Sequence, residues 1–260
     1  MRFLALSLLP LLLAATSYPE EPVARAQAII DEAERRAAGF GDLQAVAEMV
    51  IRNGRGSEAV RELSISILDL PGSASRSLTV VDEPKDVRGT ALLTHTDEQG
   101  ESEQWLFLPA LNRTKRIAAS GRSGPFMGSE FSYEDFSAQA PENYDFRWLR
   151  DETLNGLPCH VLERRPKEGT RSAYGRQEVW MDAEHLRLQQ VHYFDSQGAH
   201  IKTLTARGYQ RYRDRWWRAD ELRMENVRSG ADTLLRWSDI RMDQGLSERD
   251  FDLNALKAAR

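Results

Sequence analysis

From residue 45 to residue 242 the chain repeats one pattern, short runs of alternating apolar and polar residues, each closed by turn-forming residues. A period of two sends every second side chain to the same face of an extended strand, so each run reads as a strand with one buried face. Ala45, Ala47, Met49 and Ile51 alternate with Val46, Glu48, Val50 and Arg52, although this run is also compatible with a helix. Leu63, Ile65 and Ile67 then alternate with Glu62, Ser64 and Ser66, and the intervening Asn53-Gly54 is a strong hairpin signal because both residues tolerate positive φ. Further strands are expected at 78–81, 87–95, 104–108, 113–118, 144–149, 160–164, 177–181, 186–194, 200–206, 216–227 and 233–242. Turn residues separate them at 97–100, Asn155-Gly156, 195–198 and Ser229-Gly230. This spacing predicts an antiparallel meander of about a dozen strands, and a twisted sheet that large curls on itself or closes partially.

Helices are expected only at the two ends. Over 22–38, Pro22 suits a first helical turn and Glu20 and Glu21 suit its positive end. Val23, Ala26, Ile30, Ala33 and Ala37 then fall on one stripe that should lie against an apolar surface. A short closing helix is expected from Ser247, capped with Asp250, burying Phe251 and Leu256. The expected fold is therefore mainly β with α, a single large curved antiparallel sheet covered by an N-terminal helix and short helices or loops.

Met1-Arg2 followed by the apolar run 3–15 and the small residues Ala14 to Ser17 has the form of a secretory signal peptide. The run is shorter than the ~20 residues that cross a bilayer as a helix, and Pro10 interrupts it. Residues 1–17 are thus expected to be removed, leaving 18–260 as one exported domain in the periplasm, with Ala14 and Thr16 fitting a cleavage site nearly as well as Ala15 and Ser17. The single cysteine, Cys159, excludes an internal disulfide, so folding must rest on an apolar core. Losing Arg2 takes the formal charge from −5 to about −6, which speaks against nucleic acid as a partner.

One segment breaks the strand rhythm. Between Ser120 and Ser137, the glycines 121, 124 and 128 accompany Phe126, Met127, Phe131, Tyr133 and Phe136. A solvated loop has no need of such side chains, so the segment should fold over the sheet or a ligand as a lid, or form a core cluster beneath a long loop.

The stretch Trp105-Leu106-Phe107-Leu108-Pro109-Ala110-Leu111-Asn112-Arg113-Thr114-Lys115-Arg116-Ile117, leading into Phe126-Met127-Gly128-Ser129-Glu130-Phe131-Ser132-Tyr133-Glu134-Asp135, resembles the outer-membrane lipoprotein-sorting protein family. Gly89-Thr90, Asn53-Gly54 and the closing Phe251 and Leu256 agree with that likeness, which covers almost all of the chain after residue 17. Glu130 departs from it, since aspartate is commoner there. The resemblance implies an incomplete β-barrel, concave on one side and closed over by helices, as in the LolA-like and LolB-like carriers. It also implies a role in carrying a lipid or a lipoprotein acyl chain between inner and outer membrane. Members of the wider family are often linked to inner-membrane lipid exporters, so the resemblance also implies an exporter as a second partner and a cargo that need not be a lipoprotein.

A carrier needs such a hollow because each methylene left in water costs roughly 0.8 kcal/mol. Sheltering about ten methylenes supplies up to ~8 kcal/mol before ordering costs, roughly micromolar and still reversible binding. With the glycine-rich segment as a lid, the candidate cargo-facing residues are Trp105, Phe107, Phe126, Met127, Phe131 and Phe136, each of which plain core packing would also explain. Arg113, Lys115, Arg116 and Arg122 form a basic cluster suited to a lipid head group or an acidic partner, or simply to protecting a strand edge. The run 211–218, with Trp216 and Trp217, suits transient contact with a membrane interface or a half-buried hairpin.

Enzymatic chemistry finds no footing in the same residues. The five histidines form no HExxH pair, and Cys159 and His160 are strand neighbours that should face opposite ways. Ser123 follows Gly121 as in a nucleophile elbow, but Pro125 stands where the second glycine belongs. No enzyme activity, cofactor or metal is expected. The alternative to a carrier is an accessory domain that docks onto an inner-membrane lipid exporter and holds no cargo.

Overall fold

The computed structural model describes residues 18–138 and 140–259. The expected signal peptide, 1–17, lies outside the described residues. Helix α1 (Pro22–Ala37) leads into β1 (Asp42–Arg52), β2 (Glu58–Asp69), β3 (Ser75–Glu83), β4 (Ala91–Thr96), β5 (Ser102–Leu108) and β6 (Arg113–Ile117). After a non-strand segment come β7 (Tyr144–Leu154), β8 (Leu157–Pro166), β9 (Arg176–Asp182), β10 (Leu188–Phe194), β11 (His200–Tyr212), β12 (Trp216–Asn226) and β13 (Asp232–Met242), then α2 (Leu253–Ala258). Among the described residues no helix is long and apolar enough to cross a membrane.

All thirteen strands join one sheet in the order β6-β5-β4-β3-β2-β1-β13-β12-β11-β10-β9-β8-β7. The pairing is antiparallel throughout, and β1 meets β13 in the middle of the sheet. Six strands therefore step outward to one edge, the segment 118–143 carries the chain to the opposite edge, and seven strands step back. The single antiparallel sheet expected from the alternation is present, and its ends β6 and β7 remain unpaired with each other, so the barrel is incomplete.

The two halves nevertheless meet at one end. Ser73 Oγ, in the β2–β3 turn, lies 2.9 Å from the Glu142 carboxylate, and Asn143 donates to the Gly100 carbonyl at 3.1 Å. Gly100 has φ +78°, and a Cβ there would sit 2.2 Å from that of Ala140. Only glycine lets the β4–β5 turn approach the start of β7 so closely.

The main apolar cluster lines the inner face of the sheet, with Met49, Leu63, Val81, Leu92, Leu162, Val191, Leu204, Met224 and Leu235 from strands of both halves. Helix α1 adds Ala26 and Ile29, with Ile30 and Ala33 packed alongside. Val23, placed on the buried stripe by its spacing, is exposed, and Ile29 takes that role. Glu21 caps the helix by accepting from Val23 and Ala24 backbone N–H groups at 3.0 and 2.7 Å. The N-terminal half of α1 is held at β7, where Arg25 pairs with Asp151 at 2.6 Å and lies over Trp148.

A second cluster covers the outer face of β2–β5. Asp42 accepts the backbone N–H groups of Gln244, Gly245 and Leu246, turning the chain after β13 onto that face. Ser247 and Asp250 then form the expected capping box, and Phe251 and Leu256 are fully buried against Leu68, Val80, Leu93 and Phe107.

Candidate functional site

The crossing segment lies inside the curve of the sheet. It folds through single turns at Phe126–Gly128 and Tyr133–Phe136, the second closed by a capping box between Ser132 and Asp135. The Phe126 ring lies tilted against that of Phe136, centroids 4.5 Å apart, and edge-on to Tyr133, and Phe131 reaches Phe136 at 6.1 Å. Phe126 is 1% exposed and Phe131 4%, and both belong to the main cluster. Polar ties then pin the segment to strands across the sheet. Gln104 of β5 donates to the Tyr133 carbonyl at 2.8 Å, and Lys202 of β11 to the Glu130 carbonyl at 2.5 Å. Glu130 also receives Asn226 of β12 on its carboxylate and donates its backbone N–H to Thr233 of β13, both at 2.9 Å.

Two acids complete these ties. Glu134 accepts from Ser172 Oγ and the Ala173 N–H at 2.5 and 2.6 Å, and Asp135 accepts from Ser132 and from the Tyr174 hydroxyl. Burial pushes both carboxyls above their usual range, against the pull of these hydrogen bonds.

The six candidate cargo-facing residues do not share one chamber. Phe126, Met127, Phe131 and Phe136 come together in the inner cluster. Trp105 and Phe107 instead point to the outer face, where they pack with Phe251 and Leu256. The physical reason is the alternation within β5, whose inner positions are held by Gln104 and Leu106, while α2 covers the outer ones.

The basic cluster also divides. Arg113, Lys115 and Arg116 stand exposed on the edge strand β6, with Arg116 paired to Glu103. Arg122 bonds to the Ser102 carbonyl and lines a crevice of about 220 Å³ at the seam between the two halves. Cys159 and His160 do face opposite ways. Cys159 packs with Val161 and Trp180, whereas His160 bonds to Asp151 at 2.7 Å. Among the described residues no cluster of His, Cys, Asp or Glu is arranged to hold a metal ion.

The open space lies elsewhere, beneath the C-terminal half of α1. The β11–β12 hairpin runs beyond the last β12–β13 pair at Glu221 and reaches the end of α1, where Trp216 donates to the Ala38 carbonyl at 3.1 Å. Arg36 ties the same end to the β9–β10 turn through the Glu184 carbonyl at 2.9 Å. Between helix, turn and hairpin an open cleft of about 470 Å³ remains, lined by Ala33, Leu186, Leu188, Tyr209, Trp217 and several arginines. It adjoins an apolar recess of about 250 Å³ that shares Tyr209, Trp217 and Arg218 and continues to Leu43, Ile67, Leu222, Trp237 and Ile240. Ile67, Leu222 and Trp237 pack in turn against the inner cluster that contains Phe126.

Asp182 sets the shape of that cleft. It accepts from the backbones of His185 and Arg187 at 2.8 and 3.1 Å and pairs with the Arg187 guanidinium at 2.8 Å. Burial alone would raise its carboxyl, but these hydrogen bonds together hold it below the usual range. Of the cleft residues, the hairpin 211–218 and the helix-stripe alanines Ala33 and Ala37 stood out in the sequence, whereas the others are far apart along the chain and carry no local pattern.

A family model described only as an uncharacterized protein matches residues 73–258. No curated protein matches the chain. Among solved structures, one described as an outer membrane lipoprotein-sorting protein domain from Vibrio parahaemolyticus is 42% identical, with a TM-score of 0.87, covering 90% of this chain and 99% of its own. A DUF1329 family protein from Desulfovibrio piger is 28% identical at a TM-score of 0.86, covering 91% and 99%. A LolA superfamily protein from Nitrosomonas europaea shares the fold at 19% identity and a TM-score of 0.71, covering 88% and 98%. The thirteen-strand meander, the segment crossing its hollow and the identity sustained over nine-tenths of the sequence agree, and the chain belongs to the outer-membrane lipoprotein-sorting protein family.

Proposed function

We propose that the protein is a periplasmic carrier, exported through residues 1–17, that shelters an acyl chain of a lipid or lipoprotein on its way between inner and outer membrane. The observation that carries this reading is the cleft beneath α1 with its apolar continuation, in a family whose 42% identical relative is described as lipoprotein-sorting. The cleft alone falls in the ~300–1,000 Å³ range of small-molecule sites, and its mouth is open. A tail entering past Leu186 and Leu188 would reach Ile67, Leu222 and Trp237 and end against the inner cluster. Phe126, Met127, Phe131 and Phe136 then serve as the wall behind the site, yielding to a longer tail only if the ties at Glu130 and Asp135 open.

The test is displacement of a fluorescent fatty-acid probe. The carrier reading expects saturable, roughly micromolar binding that Leu222→Asp weakens at least tenfold while the folded protein keeps its far-UV circular dichroism. A protein that never takes up the probe would favour the accessory domain docking onto an exporter.

A further inference from the structure

Six arginines line the cleft beneath α1: Arg35, Arg36, Arg187, Arg211, Arg215 and Arg218, with no carboxylate among the lining residues. This is a sharp local departure in a chain whose formal charge is −5. Three of the six have ordinary structural partners. Arg35 and Arg36 both pair with Glu32 at 2.7 Å near the negative end of the helix, and Arg187 pairs with Asp182. For Arg211, Arg215 and Arg218, no ion pair with a carboxylate is found among the described residues.

Their contacts are instead aromatic or carbonyl. Arg211 lies over Trp217, Arg215 over Trp216, and Arg218 over Phe40 at 4.7 Å. Arg218 stands where the cleft meets the apolar recess and donates to the Trp217 carbonyl at 3.0 Å. Its burial lowers the guanidinium pKa, the cost of a charge held partly out of water. Six arginines set against Glu32, Asp182 and, acting on Arg218, Asp69 leave an excess of positive charge beside an apolar recess, a site complementary to an oxyanion joined to a hydrocarbon tail.

We infer that the cargo is an anionic amphiphile, its phosphate or carboxylate head held by Arg211, Arg215 and Arg218 and its tail in the recess lined by Leu222, Trp237 and Ile240. This rests on the carrier reading and narrows it. The acylated cysteine of a lipoprotein carries its tails on a glyceryl thioether and an amide, with no phosphate to meet these arginines. An anionic lipid satisfies both parts of the site.

The experiment is probe displacement by amphiphiles of one chain length but different heads: a lysophosphatidic acid, a fatty acid, a monoacylglycerol and an acylated cysteinyl peptide, with inorganic phosphate alone as a further arm. The acid-headed compounds should displace the probe at concentrations at least about tenfold below the monoacylglycerol and the lipopeptide, the worth of one or two charge-assisted hydrogen bonds. Inorganic phosphate should displace nothing at those concentrations. The exposed pair of substitutions Arg211→Gln and Arg215→Gln should shrink the preference to about threefold or less, by weakening the acid-headed compounds far more than the monoacylglycerol.

Equal binding of acidic and neutral heads, or a preference indifferent to the two substitutions, overturns the inference and leaves the carrier reading standing. Displacement by inorganic phosphate as readily as by the lysophosphatidic acid overturns it in favour of a free-anion site. Binding of no amphiphile at all removes both the carrier reading and the inference.

Discussion

Replacing Phe126 with alanine separates a structural wall from a freely opening lid. The ring is 1% exposed, so folding buries nearly all of it. At ~25 cal/mol per Å² and roughly 200 Å² for a phenylalanine, the transfer term is about 5 kcal/mol as an upper bound, and measured losses at such sites run at about 3–5 kcal/mol. The ring contacts to Phe136 at 4.5 Å and Tyr133 at 5.8 Å are lost as well, and the polar ties at Glu130 and Asp135 resist collapse into the void. Phe126→Ala is therefore expected to cost about 4 kcal/mol. With a urea m-value of about 3 kcal/mol/M, the denaturation midpoint should fall by more than ~1 M with m unchanged, read from tryptophan fluorescence. Phe126→Asp should be worse, since it places a charge in a dry cluster. A midpoint that moves by less than ~0.2 M would mean that the segment opens freely, and its assignment as the inner wall would be wrong.

Three further substitutions probe other parts of the structure. Asp182→Ala removes the acceptor of two backbone N–H groups and leaves Arg187 without its partner, so it should cost about 3–5 kcal/mol by urea denaturation, and a loss under 1 kcal/mol would contradict the role given to this turn. For Asp135, the folded carboxyl holds its proton to higher pH than the unfolded one, so its contribution to stability grows as pH falls from above the raised folded value toward about 4. The stability of wild type relative to Asp135→Asn should accordingly rise as pH is lowered through that window, and a flat or falling difference in pH-dependent denaturation would refute the assignment. Phe251→Ala should destabilise by about 3–5 kcal/mol while probe affinity stays within about twofold, because Phe251 packs on the outer face with Trp105 and Phe107. A large loss of affinity at preserved fold would return those residues to the cargo site.

Local signals in the sequence proved good guides to local structure. Alternation located the strands, and Ser247 with Asp250 announced the closing cap. The expected run at 87–95 started too early, because 84–90 forms a turn in which Val87 and Gly89 donate to the Pro84 and Val81 carbonyls. Asn53-Gly54 does mark a hairpin, but as a longer loop in which the Asn53 side chain accepts the Arg55 and Ser57 N–H groups.

Faces were harder to read. Trp105-Leu106-Phe107-Leu108 is apolar on both sides, since β5 is covered within by the crossing segment and without by α2, so periodicity could not tell which side Trp105 faces. The arginine cleft was legible only in the run 211–218. Arg35, Arg36 and Arg187 reach it from elements brought together by a sheet order that joins β1 to β13, a long-range pairing no local pattern encodes.

The most direct measurement is the lipid content of the protein taken from its native periplasm, extracted and analysed by mass spectrometry beside an intact-mass spectrum. Near-stoichiometric acyl lipid with an acidic head group is expected, lost from the Leu222→Asp variant. Protein that is repeatedly empty and that refuses added amphiphiles would contradict it.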